Sequence, residues 1–282
     1  MSNYFRWRKL KNADISAVET LLRENEKKYV SACARFITRD ASNCLVWVLC
    51  GKKNEIAALI INSRSTLLPV FFEKKEIPMP DFIGSLSKKK KIHSMQGLTE
   101  EVIILEDIMN RMGKMITDIY DYHLMNLDSS PKQKTAYSCP ENLTLKIPQL
   151  IDLNEIAPLQ AAYEQEEVVP KGSVFSPAAS RINISNIIAN GQVLAAQING
   201  RLIGKINVNA VSYTRYQVGG VYVRPDYRGQ GIAGKMAAEF ISSLINQGRG
   251  ITLFVKKSNI PACSLYQSLG FSIQNSYRIT YY

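Results

Sequence analysis

The chain has 282 residues, of which 46% are apolar and 21% charged, with a formal net charge of +11. It is long enough for one large domain or two modest ones, each able to bury a core. No apolar run is long enough for a spanning helix, the N-terminus lacks the apolar stretch of a signal peptide, and five cysteines without C-x-x-C spacing suggest neither a disulfide framework nor a zinc site. A reducing cytoplasm is the expected home, with no metal and no membrane partner. The positive charge is spread over both halves, and its one dense run, Lys88 to Lys91, reads as a solvated loop; nucleic acid is therefore not the expected partner.

In chain order, "YFRWRKL" reads as a strand and Asp14 as the cap of a helix carrying Ile15, Val18, Leu21 and Leu22 at helical spacing. "CLVWVLC" and "EIAALIINS", separated by "GKKN", predict a hairpin that "STLLPVFF" continues. Residues 73–97 are polar and proline-containing, hence loop-rich, and 99–114 are amphipathic and helical. The polar stretch 125–142, with Pro131 and Pro140, marks the boundary between an N-terminal α/β domain (1–140) and a second domain (141–282).

Beyond it the pattern restarts. "LTLKIPQL" predicts a strand, 152–168 a helix, and 176–191 a second helix with Ser176 as cap, Pro177 in its first turn and Gly191 as stop. "QVLAAQI", "NG" and "RLIGKINVNAVS" predict a hairpin, and "QVGGVYV" a further strand. A glycine-rich loop, a helix ending at Gly248, the strand "ITLFVKK", the helix "PACSLYQSLG" and a closing strand, "FSIQNSYRITYY", complete a mixed sheet of α/β (α+β) class. The N-terminal half also runs strand, helix, hairpin, which suggests a diverged duplication.

The loop "VYVRPDYRGQGIAGKM" matches three phosphate-binding patterns. As a dinucleotide fingerprint, Gly229, Gly231 and Gly234 stand too near the chain's end for further βαβ units, and Lys256 and Lys257 occupy the place of the ribose-binding acid. As a P-loop, Gly229 to Lys235 is followed by Met236, which offers no hydroxyl to magnesium. The third pattern, R-x-x-G-x-A from Arg228, Gly231 and Ala233, needs a strand, a turn of backbone amides and a helix N-terminus facing a pyrophosphate. All three are predicted here. Small residues let the main chain approach the anion, and Arg228 adds a full positive charge.

At this point residues 143 to 282 resemble the GNAT superfamily of N-acetyltransferases. "GGVYVRPDYRGQGIAGKM" looks like its motif A and "ITLFVKKSNIPACSLYQSLGF" its motif B; the N-terminal half is similar to the opening of such a unit without its cofactor loop. The resemblance implies acetyl-CoA as co-substrate, a sheet of GNAT type and direct acyl transfer to a primary amine of a small molecule or peptide. It implies a cofactor site made of Val221, Tyr222, Val223, Arg228, Gly229, Gln230, Gly231, Ile232, Ala233, Gly234, Asn259 and Tyr266. Amides of the strand from Val221 to Val223 would receive the thioester oxygen, Asn259 would touch the pantetheine arm, and Tyr266 would protonate the departing thiolate. Among Glu164, Glu166 and Glu167, Glu167 is the candidate base for the acceptor amine. His93 and His123 lie in the other half, outside this chemistry, and Cys263 reads as a packing residue. A catalytically silent acyl-CoA sensor is the second reading, and "SYRITYY" as an edge strand would suit a homodimer.

Overall fold

The computed structural model describes residues 5–39, 44–72, 78, 82–83, 92–132, 137–170 and 172–282, so the lysine run at 88–91 lies outside the described residues. The chain divides into two units, one of residues 1–124 with 274–282, the other of residues 125–273.

The first unit contains β1 (Arg6–Lys9), α1 (Ile15–Glu24), α2 (Glu26–Ile37), β2 (Cys44–Cys50), β3 (Ile56–Ser63), β4 (Thr66–Phe71), β5 (Ser94–Leu98) and α3 (Thr99–Arg111). β6 (Asp118–Leu127) then carries the chain across the division. β1 to β4 pair antiparallel in sequence, and β4 pairs β5 in parallel at Thr66 and Leu67. The strand that follows β5 in this unit is the last of the chain, β12 (Ser272–Tyr281), antiparallel with Tyr277 opposite Leu98 and Tyr281 opposite Ser94. Trp47, Ile60, Leu67, Met95, Val102, Leu105 and Met109 form a core under α3.

The second unit opens in the same order of strand, two helices and three strands: β7 (Leu143–Lys146), α4 (Leu153–Tyr163), a π-helical turn (Glu164–Val168), α5 (Pro177–Ala189), β8 (Val193–Ile198), β9 (Arg201–Val211) and β10 (Arg215–Val223), then α6 (Ile232–Ile245), β11 (Gly250–Lys256) and α7 (Ile260–Ser268). β7 to β10 are antiparallel neighbours and β10 pairs β11 in parallel. Its two faces bury separate cores. Ile206, Val218, Met236, Phe240, Leu253 and Tyr266 belong to one, against α6 and α7. Ile156, Leu159, Ile184, Ile188, Leu202 and Tyr222 form the other, against α4 and α5.

The same device opens both units. In the first, Asp14 accepts from the Lys11 amide at 2.8 Å and from Arg8, closing a 3-10 turn ahead of α1. In the second, Asp152 accepts from the Gln149 amide at 2.9 Å and from Lys146 at 3.0 Å, closing the matching turn ahead of α4. The neighbouring cation and donated amide hold both carboxyls below the usual carboxylate range. The expected Asp14 cap is thus corrected: its side chain reaches back to Lys11, not forward onto the first amides of α1.

The expected hairpins and the helix starting at Ser176 are present; Ser176 accepts from the Ala179 amide at 3.3 Å and Gly191 takes φ +64°. The reading differs elsewhere. The helix expected over 152–168 changes to a π-helical turn after Tyr163. α2, β5 and β6 appear where the sequence analysis named none, and the polar stretch from residue 125 begins inside β6. Where the sequence analysis put the division at residue 140 and the closing strand in the second domain, the structure divides at 124/125 and returns residues 274–282 to the first unit.

Candidate functional site

The site is built where β10 leaves β11. The parallel pairing runs from Arg215 opposite Gly250 to Val218 opposite Leu253 and then stops. On its other side β10 pairs β9, but the register slips between Gly219 and Tyr222, leaving Gly220 and Val221 without a partner residue. Gly220 sits at φ +62°, in the left-handed region that a side chain would resist. The closed end is held by Arg215, only 3% exposed, which donates to Thr252 Oγ1 at 2.8 Å and to the Ile251 carbonyl at 2.6 Å and pairs with Asp128.

After Val223 the chain makes a 3-10 turn (Pro225–Tyr227) and a loop in which Gly229 and Gly231 take φ +77° and +70°. Gly231 caps α6 without a side chain, so the first-turn amides are not satisfied by a capping group. That arrangement fits an anion: a Cβ built on Gly229 would meet nothing within 4 Å, so open space adjoins the turn. Ile232 is buried in the core, Ala233 packs against it, and half-buried Gln230 reaches back to the Asp226 carbonyl at 3.3 Å.

Part of the loop is roofed by the chain itself. A Cβ on Gly231 would come within 2.9 Å of the Ser138 carbonyl, and one on Gly234 within 2.4 Å of the Tyr137 ring. The small residues here therefore admit the chain's own segment 137–139 as well as leaving backbone open to a ligand.

Arg228, expected to add positive charge to the loop, is held by three neighbours. Its Nε donates to the Val223 carbonyl at 2.9 Å, its Nη2 to Glu166 at 2.8 Å, and its guanidinium lies 5.4 Å from the Tyr222 ring centre. Contact with Glu166 raises its already high pKa. The π-helical turn supplies the other two glutamates: Glu167 pairs with Lys256 of β11 at 2.9 Å, and Glu164 accepts from Gln160 at 2.7 Å and Asn183 at 3.0 Å. One five-residue turn is thus tied to the loop after β10 and to the end of β11.

Tyr266 is buried, packs edge-on against Phe271 with ring centres 5.7 Å apart, and lies in the field of Tyr163, Cys263 and Glu167. Burial is the main cause that pushes its phenol above the usual range, so it stays protonated at neutral pH. Asn259 caps α7, its Oδ1 accepting from the Ala262 amide at 3.1 Å. Cys263 is half-buried against the core, with Sγ 3.7 Å from the Lys256 carbonyl, as expected of a packing residue. Tyr222 and Val223 are buried on opposite faces and Val221 is partly so.

Sequence reasoning missed a charged group under this strand. Lys205 of β9 is fully buried; its Nζ donates to Asn207 Oδ1 and to the Gly220 carbonyl, both at 2.7 Å, with the Tyr163 ring 4.7 Å away. The available signal was one lysine inside the apolar run "LIGKINV".

In the first unit, side chains pack closely around β4 and β5. A Cβ on Gly97 of β5 would touch Pro69 of β4 at 3.1 Å. The Phe71 amide donates to Glu101 Oε1 at 3.1 Å, and the Tyr29 hydroxyl lies 2.5 Å from the same oxygen. Burial pushes the Glu101 carboxyl up to about 8.

A cavity of about 510 Å³ opens elsewhere in the second unit, among Leu145, Val193, Leu194, Phe240 and Leu244, and includes none of the expected site residues. Among the described residues no cluster of His, Cys, Asp and Glu suits a metal ion, and no helix is long and apolar enough to cross a membrane.

Residues 158–271 match the model of the Acetyltransferase (GNAT) family. The chain is 35% identical over 79 residues to the N-terminal acetyltransferase B complex catalytic subunit NAA20 of Arabidopsis thaliana, covering 27% of this chain and 45% of that protein. It is 33% identical over 88 residues to the streptothricin acetyltransferase of Escherichia coli, covering 30% and 50%. The matched region thus spans about half the length of these curated relatives. A solved GCN5-related N-acetyltransferase from Sphaerobacter thermophilus superposes with a TM-score of 0.65 at 18% identity over 98% of this chain and 94% of that one, which extends the likeness in fold to both units.

Proposed function

Given that residues 158–271 form a GNAT acetyltransferase domain, a family that takes acetyl groups from acetyl-CoA, we propose that the second unit transfers an acetyl group directly to a primary amine of a small molecule or peptide. The parting of β10 from β11 beyond Val218, next to a glycine turn with uncapped helix amides, carries this reading. The amides of Gly229 to Gly234 would hold the diphosphate of acetyl-CoA, and the unpaired backbone at Gly220 and Val221, continuing to Val223, would lie along its pantetheine arm. The bound co-substrate supplies the activated thioester.

The chain's own groups would do the rest. A strand amide near Val221 receives the charge that develops on the thioester oxygen. Tyr266, kept protonated by burial, is suited to give its proton to the departing sulfur. Glu167 is the proposed base for the amine; to act it must exchange Lys256 for the incoming acceptor. Asn259, with Oδ1 committed to capping α7, would serve the arm through the position of that helix. Arg228 would act by holding the loop to Glu166 as much as by its charge. The reading keeps the cytoplasmic location expected from five cysteines, all of them free.

The relatives named above act, by their names, on protein N-termini and on streptothricin, so the acceptor screen should span peptides and small amines. Calorimetric titration with acetyl-CoA, followed by a thiol-release screen over those acceptors, tests the proposal. Binding with turnover of at least one amine supports it. Absence of binding at millimolar acetyl-CoA overturns it, and binding without turnover of any amine identifies a sensor.

A further inference from the structure

The two glycines of "VGGVYV" face side chains that leave no room for a Cβ. One on Gly219 would lie 2.2 Å from Asn209 Nδ2; one on Gly220 would lie 1.9 Å from Asn207 Oδ1 and 2.8 Å from Lys205 Nζ. Asn207 in turn donates to Asn209 Oδ1 at 2.8 Å. Three polar side chains of β9 therefore pack where β10 bulges, and the buried ammonium has its two acceptors in that bulge and its neighbour. Burying a lysine is costly, and a hydrocarbon side chain would fill the space without that cost, so the charge calls for a role.

The geometry supplies one. A trans peptide carries its N–H on the side opposite its C=O. Lys205 reaches from β9 to the carbonyl of Gly220, so the N–H of the same peptide, that of Val221, is turned away from β9. On that side β10 has already parted from β11. A donor fixed on a carbonyl also polarises the peptide and strengthens its N–H as a donor, more so in a low-dielectric interior. We propose that Lys205 is a positioning residue for acyl transfer, which orients and polarises the Gly220–Val221 peptide so that the Val221 N–H meets the thioester oxygen as charge builds on it. This inference rests on the acetyltransferase reading.

The groups facing Lys205 are few. The Tyr163 ring comes from α4, Glu164 is the nearby charge from the π-helical turn, Tyr222 stands opposite on β10, and Ala195 of β8 and Asn207 are neutral. Burial pulls the ammonium down to about 7, with Glu164 opposing. The charge therefore titrates inside an accessible assay range, where carboxylates and phenols ordinarily do not; Glu101 of the first unit, pushed up to about 8, also titrates there but is common to wild type and variant.

Two measurements test the role. In the unliganded protein labelled with 15N-valine, the Val221 amide is followed from pH 6 to 9; its resonance should titrate with a midpoint near 7 in the wild type and stay still in Lys205→Met. In the second, kcat is measured over the same range for both proteins. The wild type should exceed the variant by about tenfold at pH 6, and the ratio should shrink toward one by pH 9 as the ammonium discharges. KM for acetyl-CoA should stay within about threefold, since the loss concerns the transition state. A kcat ratio near one at pH 6, or a Val221 amide resonance that Lys205→Met leaves unchanged at pH 6, reduces Lys205 to a packing residue. Should Lys205→Met fail to fold, Lys205→Gln serves for the same two comparisons. If the wild type binds no acetyl-CoA, the acetyltransferase reading fails while the amide titration still reports on the peptide.

Discussion

Glu167 and Lys256 form an ion pair at 2.9 Å, with the carboxylate side chain 31% and the ammonium side chain 18% exposed. The acid proposed as base thus already holds a cation, and an acceptor amine, itself cationic before it reacts, would take the place of Lys256. Partial exposure leaves water access to the pair, which lets one cation be exchanged for another. Glu167→Gln is expected to lower kcat by about a hundredfold, while Lys256→Met leaves it within a few-fold. Steady-state rates on any accepted amine check this; undiminished turnover in Glu167→Gln would assign the base elsewhere.

Tyr266→Phe keeps the edge-on contact with Phe271 and removes only the hydroxyl. We expect kcat to fall by about a hundredfold with little change in acetyl-CoA affinity. Because burial raises the phenol above its ordinary value, the wild type should show no loss of rate from Tyr266 ionisation up to about pH 10. A basic limb that vanishes in Tyr266→Phe would contradict that protonation state.

Gly234 and Tyr137 should be energetically coupled. Gly234→Ala drives a methyl into the Tyr137 ring, which stands where the Cβ would lie. Thermal unfolding should show a loss of about 1–3 kcal/mol. In a Tyr137→Ala background the same substitution should stabilise by about 0.5–1 kcal/mol, as the helix propensity of alanine over glycine takes over. Additivity of the two changes would show that the ring does not rest on this glycine.

Lys205 gives the stability of the protein a pH dependence of known sign. Its pKa is about 7 in the folded protein and ordinarily near 10.4 in an unfolded chain. Between these values the unfolded chain binds more protons, so this residue's contribution to stability rises with pH from about 7 to 10 and is least favourable below 7. Denaturant melts of wild type and Lys205→Met should therefore converge as pH rises through that window. A difference unchanged by pH would mean that the lysine keeps its ordinary pKa.

Much of the fold was legible because its signals are local. The apolar run "CLVWVLC" ending at a turn, the "NG" turn after "QVLAAQI", the Ser176–Pro177 start of α5 and the R-x-x-G-x-A run each specify backbone within a few residues. What was missed depends on contacts distant in sequence. β6 reads "DIYDYHLMNL", too polar on both faces to announce a strand, and its partners lie far along the chain. Lys205 passed unremarked inside "RLIGKINVNAVS", because its acceptor, the Gly220 carbonyl, lies fifteen residues on. Tyr137 sat in a polar segment taken as a connector, yet its ring rests on Gly234 of the loop that motif reading had singled out. Glycines at 231 and 234 were explained by a ligand alone, whereas the segment at 137–139 is a second reason for their size.

The place of β12 has a consequence for biosynthesis. Among the described residues, 94–98 have their antiparallel neighbour in residues 277–281, so the N-terminal unit lacks a strand until those residues leave the ribosome. Folding of the second unit can proceed beforehand, since its residues are contiguous from 125 to 273. The part synthesised first is thus completed last, and through that interval β5 offers an open strand edge that a chaperone or a second nascent chain could engage.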